Sequence, residues 1–175
     1  MVEPLLLVGL AIGLVVAGFI DVQEGRIPNW LTFSLAGFGM VVHTWQHGWT
    51  GMLISVEGLA MGLLCLLFFY IKGGMGAGDV KLLGAIGAIV GPKAVVYVFA
   101  FAALLGGVYS IAMLCSQGGL GYVGMRLRFI LSKLKLGDSV SSLNAVPVKE
   151  PKLRYALVIG LGTMVAQTLL LYGLL

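Results

Sequence analysis

The stretch "GGMGAGDVKL", from Gly73 to Leu82, separates two strongly apolar runs of the chain. It contains four glycines, one aspartate and one lysine. Glycine allows the backbone to adopt positive φ and to approach another chain closely. Asp79 stands where this glycine-rich backbone gives way to the next apolar run. The stretch therefore predicts an acidic side chain held at the start of a hydrophobic helix.

The composition is that of a membrane protein. Of the 175 residues, 59% are hydrophobic and 10% are charged, and the mean hydropathy is +1.05. A soluble domain of this length needs more charge to cover its surface, whereas lipid accepts apolar side chains on every side of a helix. We therefore expect an all-α integral membrane protein with a single transmembrane domain over residues 1–175.

Six apolar runs are separated by polar breaks, and most are close to the roughly 20 residues that a helix needs to cross a bilayer. The N-terminal run has Glu3 instead of a basic cluster, so we expect a retained first span and not a signal peptide. The fourth run is short enough to be re-entrant or buried instead of spanning. The runs cover approximately residues 4–20, 28–46, 52–71, 80–91, 94–115 and 155–175.

The distribution of basic residues favours a spanning fourth run. If this run spans, ten of the 11 lysines and arginines lie on one face of the membrane and only Lys93 lies on the other. If it does not span, the split is four against seven, which disagrees with the positive-inside tendency. We therefore expect six transmembrane helices in the inner (plasma) membrane, with both chain ends outside and the basic loops in the cytoplasm.

This topology places Asp21 and Asp79 on the cytoplasmic side at similar depth. Two carboxyl groups held close together cannot both ionise cheaply, so such a pair keeps one proton over a useful pH range. One group can then accept a proton from water while the other donates to a peptide carbonyl, as in aspartic proteases. Gly76 and Gly78 would let the backbone beside Asp79 lie close to an extended substrate.

Each polar residue also has a plainer structural interpretation. Asp79 is well placed to be a helix N-cap, and Asp21 could mark a helix end with Arg26 as its partner. Lys81 fits an interfacial anchor as well as a group that tunes Asp79 or contacts a substrate. Glu57 is costly in lipid, which suggests a function, but its side chain can reach the outer interface.

His43 and His47 have the spacing of helical metal ligands, but no acid or cysteine lies close to them in sequence. Their neighbours Trp45 and Trp49 are typical of a membrane interface, so anchoring is the favoured interpretation. We expect no metal, no cofactor and no nucleic-acid partner.

A basic, amphipathic segment follows the fifth run, within residues 118–152. Its apolar residues share one helical face and basic residues flank that face, which predicts a helix lying on anionic lipid at the cytoplasmic interface. A solvated basic loop fits the same residues. The apolar face consists of Val123, Leu127, Ile130, Leu131 and Leu134.

Two segments of the chain resemble the type IV prepilin peptidases. "GAGD", from Gly76 to Asp79, matches the Gly-x-Gly-Asp motif of membrane aspartic proteases. "DVQEGRIPN", from Asp21 to Asn29, resembles the segment around the first aspartate of that family, in which a polar turn leads to an Ile/Leu-Pro-Asn helix start. The order of the two motifs and the six runs also fit the family.

The resemblance implies a catalytic pair formed by Asp21 and Asp79, with Gly76 and Gly78 shaping the loop that supports the second aspartate. It also implies a substrate class. The substrates would be pilin or pseudopilin precursors, each with a single transmembrane helix and a basic leader that is removed on the cytoplasmic side.

Bifunctional members of that family carry an additional cytoplasmic region near the N-terminus, usually with paired Cys-x-x-Cys motifs and associated with methylation of the new N-terminus. The corresponding loop here has about seven residues and no cysteine. The chain therefore resembles the short, peptidase-only branch that serves tight-adherence (Flp) pili, and also the archaeal preflagellin peptidases. It is less similar to presenilin-like enzymes, because Asp21 follows isoleucine and not tyrosine.

A small proton-coupled or ion-coupled transporter component is the alternative function, with Asp21 and Asp79 as proton or ion sites. The predicted position of both aspartates at helix ends, away from the membrane midplane, favours the peptidase. The sequence also lacks the internal repeat that many transporters show.

Overall fold

The computed structural model describes residues 4–72, 75–116 and 155–172, and all the regular structure within these ranges is α-helical. The prediction of an all-α protein is confirmed for this part of the chain. The predicted amphipathic segment at 118–152 lies outside it. The helices are α1 (Pro4–Glu24), α2 (Asn29–Ile71), α3 (Ala77–Val90), α4 (Pro92–Ser116) and α5 (Tyr155–Leu171).

Three of these helices, α1, α2 and α4, are long and apolar enough to cross a membrane. Helix α5 is apolar but shorter. Helix α3 has 14 residues, which corresponds to about 21 Å, whereas the hydrocarbon core of a bilayer is about 30 Å thick. The count of six membrane spans therefore stays a prediction.

The surface of the described helices is strongly apolar. Val15 in α1 is 66% exposed, and Phe33 and Phe68 in α2 are 69% and 64% exposed. In water, such extensive exposure of large apolar side chains would promote association. In a bilayer the same side chains contact lipid tails, which agrees with the composition.

Helix α2 bends back on itself at Gly48. A straight helix of 43 residues would extend about 65 Å, more than twice the thickness of the hydrocarbon core. Gly48 has φ 60° and ψ −139°, a conformation that favours glycine. Beyond the bend, Gly51 lies against the backbone oxygen of His43. The halves 29–47 and 49–71 therefore form a helical hairpin, and they correspond to two of the predicted apolar runs.

Helix α3 packs between the two halves of α2. Gly39 in the first half is so close that an added Cβ would lie 2.7 Å from the backbone oxygen of Ala88. Gly58 in the second half lies directly against the backbone of Gly87. This close approach buries the side chains of α3 from Leu82 to Val90. Helix α3 is therefore enclosed by protein, which explains how so short an apolar run is stable.

The C-terminal end of α3 is capped by side chains of α2. The last carbonyl groups of a helix have no partner within the helix. Here Ser55 Oγ donates a hydrogen bond of 2.7 Å to the Ala88 carbonyl, and His43 Nε2 donates one of 2.9 Å to the Ile89 carbonyl. His43 thus stabilises α3, a role that differs from the interfacial anchoring predicted from the sequence.

Helix α5 packs antiparallel against α1. An added Cβ at Gly18 would lie 2.9 Å from Leu157, near the start of α5, and one at Gly160 would lie 4.0 Å from Leu14, one turn earlier in α1. The start of α5 therefore lies beside the end of α1.

Backbone contacts group the chain into two units. The first consists of Met1–Gly106 and Arg154–Leu175 and contains every contact discussed here, while the second is Gly107–Leu153. Only the last part of α4 is described in the second unit. The prediction of a single domain over residues 1–175 stays a prediction.

The contact between Gly58 and Gly87 predicts a difference between two glycine substitutions in α2. Gly58→Ala should lower the free energy of unfolding by about 1–3 kcal/mol, because the new methyl group would overlap the backbone of α3. Gly37→Ala is the matched control, since an added Cβ there meets nothing within 4 Å, and it should be neutral or stabilising by up to about 1 kcal/mol. Thermal unfolding in detergent measures both, and equal losses would contradict this packing.

Candidate active site

Three helix ends meet at one end of the molecule: the end of α1, the start of α2 and the start of α3. Ile27, in the connection between α1 and α2, lies 3.2 Å from the position of a Cβ added at Gly78. Lys81 Nζ donates a hydrogen bond of 2.9 Å to Asn29 Oδ1. The two motifs that were singled out separately in the sequence are therefore in direct contact.

Asp21 lies in the last turn of α1 and points into the protein. Helix α1 ends at Glu24. The following Gly25 has φ 62° and donates its N–H to the Asp21 carbonyl at 3.0 Å, as expected of a glycine that terminates a helix. The Asp21 side chain is 7% exposed, and its buried Oδ2 has no hydrogen-bond partner among the described residues. Arg26, the partner considered from the sequence, is exposed. A buried carboxyl oxygen without a partner is costly, and such groups are characteristic of functional sites.

Asp79 is the third residue of α3 and precedes its buried apolar run. The N-cap of α3 is Gly76, and no side chain caps it, so the interpretation of Asp79 as the N-cap is wrong. Burial, and then the negative charge of Asp21, raise the pKa of Asp79 to about 6, while hydrogen bonding with the backbone of Gly76 lowers it. The structure thus brings the two predicted aspartates close enough for the charge of one to affect the protonation of the other.

Gly76 and Gly78 allow neighbouring groups to lie close to the backbone, and they do not adopt unusual backbone angles. Gly76 is extended, with φ −75° and ψ 147°, and Gly78 is helical, so neither uses positive φ. A Cβ on Gly76 would lie 3.3 Å from Asp79 Oδ2. The absence of a side chain at Gly76 therefore leaves room beside the carboxyl group, and its absence at Gly78 leaves room for Ile27. The other two glycines of the stretch lie outside the described residues.

Lys81 holds α3 against the start of α2 through its bond to Asn29. It is not among the groups that shift the pKa of Asp79. Its predicted role as a tuning or substrate-contacting residue stays a prediction. Asn29 is the partner of Lys81 and was not predicted as a site residue, although the conspicuous Pro28-Asn29 pair at a helix start was the available signal.

The other polar residues considered from the sequence lie away from this site. Glu57 and His47 are exposed on the second and first halves of α2, respectively, and His43 caps the far end of α3. Within residues 4–72, 75–116 and 155–172, no group of three histidine, cysteine or acidic side chains is arranged to hold a metal ion.

The arrangement is suited to proton transfer. The half-buried carboxyl group of Asp79, next to that of Asp21 and with a pKa of about 6, holds a proton at a pH where an isolated aspartate is ionised. Such a pair can supply an acid and a base in the same place.

The described part of the chain is thus helical and strongly apolar, as in membrane-embedded proteins, and it brings two carboxyl groups together at one end. The chain is a member of the type IV leader peptidase family, whose family model matches residues 8–111. This range includes both aspartates, and it confirms the family resemblance seen in the sequence. Family membership and the apolar helices together indicate a protein of the inner membrane.

Several curated relatives are named prepilin leader peptidase/N-methyltransferase. The protein from Burkholderia pseudomallei is 35% identical over 105 residues, covering 56% of this chain and 34% of the relative. Those from Neisseria gonorrhoeae and Aeromonas salmonicida are 31% and 32% identical over 107 and 108 residues, each covering 37% of the relative. The matched part of the chain thus spans about a third of their length. No solved structure matches the chain significantly.

The coupling between the two carboxyl groups can be measured by carbodiimide modification, because carbodiimides react with protonated carboxyl groups in apolar surroundings. Labelling of Asp79 should fall as the pH rises through about 6. In Asp21→Asn the fall should occur at lower pH, because the negative charge that raises the pKa of Asp79 is absent. Mass spectrometry of peptides containing residue 79 gives the labelled fraction, with Asp79→Asn as the blank. An unchanged midpoint in Asp21→Asn would show that the two groups are not coupled.

Proposed function

We propose that the protein is a membrane-embedded aspartic endopeptidase that removes the basic leader from pilin or pseudopilin precursors. The observation that carries this proposal is the burial of Asp21, whose Oδ2 has no partner in the part of the chain that the structure describes, next to Asp79, whose pKa it raises. The family match over residues 8–111 supports the same function, as do the printed names of the relatives.

The paired carboxyl groups would perform the hydrolysis together. The ionised group accepts a proton from a water molecule, which attacks the scissile carbonyl carbon, while the protonated group donates to the carbonyl oxygen. Collapse of the tetrahedral intermediate breaks the C–N bond, and the proton taken from water is available for the leaving amine. The raised pKa of Asp79 suits the protonated partner before attack, although the single proton belongs to the pair.

The start of α3 is suited to hold an extended peptide beside the carboxyl groups. Gly76 and Ala77 are exposed, and the backbone of Gly76 is extended. A peptide bound alongside the start of α3 would contact its backbone groups directly, because Gly76 has no side chain to block them. A segment between a basic leader and an apolar helix could therefore reach Asp21 and Asp79 from the membrane surface.

We further propose that cleavage proceeds without N-methylation, as in the short peptidase-only branch. Methyl-donor binding requires a shaped pocket of several hundred Å³ with placed polar groups. The connection between α1 and α2 consists only of residues 25–28, which are too few to form one. The mature product of this protein should accordingly have an unmodified N-terminus.

The site is proposed to face the cytoplasm. This orientation rests on the count of basic residues, ten against one, in the six-span topology. The contacts of α3 support the direction of the fourth run: its start lies beside the start of α2, through Lys81 and Asn29, and its end lies beside the bend of α2, through His43.

Isosteric substitutions test the catalytic pair. Asp21→Asn and Asp79→Asn should each reduce cleavage of a co-expressed pilin precursor by at least about 100-fold, the usual contribution of positioned acid–base groups. The double variant should be no worse than either single variant, because the two groups act as one unit. Glu24→Gln is the matched control, since this acid lies in the last turn of α1 but is exposed, and it should cleave normally.

The same experiment distinguishes the peptidase from the transporter alternative. If Asp79→Asn retained more than about a tenth of the cleavage rate, a loss of less than about 1.4 kcal/mol in barrier height, the acid–base mechanism would be rejected. A methylated product that appeared only in the presence of this protein would reject the peptidase-only assignment. Mass spectrometry of the processed pilin reports both results.

The proposed topology can be tested with single cysteines in a background in which Cys65 and Cys115 are replaced. Cysteines at positions 24 and 140 should be protected in intact cells from a thiol reagent that does not cross membranes. A cysteine in place of Trp49, which is 70% exposed beside the bend of α2, should react. Protection of only one of positions 24 and 140 would mean that the fourth run does not span.

A further inference from the structure

A cavity of about 890 Å³ lies at the end of the molecule opposite to the paired aspartates. It is bounded by the bend of α2, the connection between α3 and α4, and the last turns of α5. Its polar lining residues are His43, His47, Lys93, Tyr97 and Gln167, and none of its lining residues is acidic. The proposed peptidase reaction uses none of these side chains.

Gln167 is the first indication of a ligand. Its side chain is 7% exposed and lines the cavity, yet its buried Nε2 has no hydrogen-bond partner among the described residues. A buried donor without a partner loses its hydrogen bonds to water and forms no replacement, which costs free energy. A ligand that presents an acceptor in the cavity would satisfy this amide.

The charge at the cavity favours an anion as the ligand, because Lys93 lines it and none of its lining residues is acidic. Lys93 lies in the first turn of α4, where the free N–H groups and the helix dipole favour negative charge. At the opposing end of α3, the Ala88 and Ile89 carbonyls, which would repel an anion, already accept hydrogen bonds from Ser55 and His43. Lys93, the side chain of Gln167 and the start of α4 thus line the same space.

The apolar part of the lining indicates that the anion is attached to a hydrocarbon chain. Ile54, Val96 and Leu170 contribute apolar side chains to the cavity wall. At the same end, Trp45 and Trp49 are 90% and 70% exposed, and exposed tryptophans in membrane proteins lie at the level of the lipid headgroups. The donors of the cavity therefore lie at the depth where phospholipid phosphates are found.

We propose that this cavity is a phospholipid-binding site. The phosphate group accepts hydrogen bonds from Gln167 and Lys93 and lies at the start of α4, and an acyl chain lies along Ile54 and Leu170. The bound lipid would link α5 to the connection between α3 and α4. The proposal does not depend on the peptidase function, because the site lies at the other end of the molecule.

Native mass spectrometry of the full chain in detergent, titrated with dioleoylphosphatidylglycerol, tests this site. Lys93→Gln and Gln167→Leu should each weaken binding of the first lipid by about tenfold, the loss expected for one hydrogen bond to a charged group. Lys72→Gln is the matched control, because Lys72 is an exposed lysine at the opposite end, and it should bind as the unmodified protein does. Equal binding by all four proteins would overturn the proposal.

Two further binding measurements identify the chemical group that the cavity holds. Dioleoylglycerol, which has the same chains but no phosphate, should not compete, and equal binding of this molecule would overturn the phosphate assignment. Displacement of the phospholipid by millimolar inorganic phosphate would assign the cavity to a free anion and overturn the assignment to lipid.

The stability of Gln167→Leu separates loss of a ligand from loss of the fold. Without lipid, this variant should unfold at the same temperature as the unmodified protein or above it, since it removes an unpartnered buried amide. With lipid, it should gain less stability than the unmodified protein does, because stabilisation by a ligand follows its affinity. Gln167→Glu, nearly isosteric but negatively charged, should bind still less lipid. Normal lipid binding by Gln167→Glu would contradict an anionic ligand.

Discussion

The packing of α3 inside the hairpin of α2 is the constraint on which the rest of the structure depends. At Gly58 and Gly87 the two backbones are in direct contact, and small residues are what allow membrane helices to approach so closely. Because packed helices have discrete arrangements and do not slide continuously, this contact fixes the height of α3 relative to α2. The first turn of α3, and with it Asp79, is thereby held beside the end of α1.

The two ends of α3 differ in whether nearby side chains satisfy the polar groups there. At its C-terminal end, exposed carbonyl groups are satisfied by Ser55 and His43. At its N-terminal end, no side chain of residues 4–72, 75–116 or 155–172 caps the helix, and none of them pairs with the buried Oδ2 of the neighbouring Asp21. Proteins tolerate an unsatisfied polar group where the surrounding structure fixes it and where function requires it. The asymmetry supports the start of α3 as the place of the proposed chemistry, independently of any motif.

The two polar sites of this small, apolar protein lie at opposite ends of the same helices. One presents acidic groups where α1, α2 and α3 meet, and the other presents donors where the bend of α2 meets α4 and α5. Helix α3 runs between them and is buried from Leu82 to Val90. A change in the position of α3 would therefore alter both sites, although each site has its own set of side chains.

The sequence alone determined the membrane class, the helical runs and the family, because lipid imposes long apolar runs on the chain. It also singled out the two aspartates that the structure brings together, because an acid beside glycines is conspicuous among apolar residues. It did not determine that Gly48 folds two runs into one hairpin, that Gly76 and not Asp79 is the N-cap, or that His43 caps α3. It also could not pair Lys81 with Asn29, or show that Gln167 lacks a partner. These features depend on contacts between residues that are far apart in the chain. Such contacts are decided by how whole helices pack together, and a short segment of sequence does not contain that information.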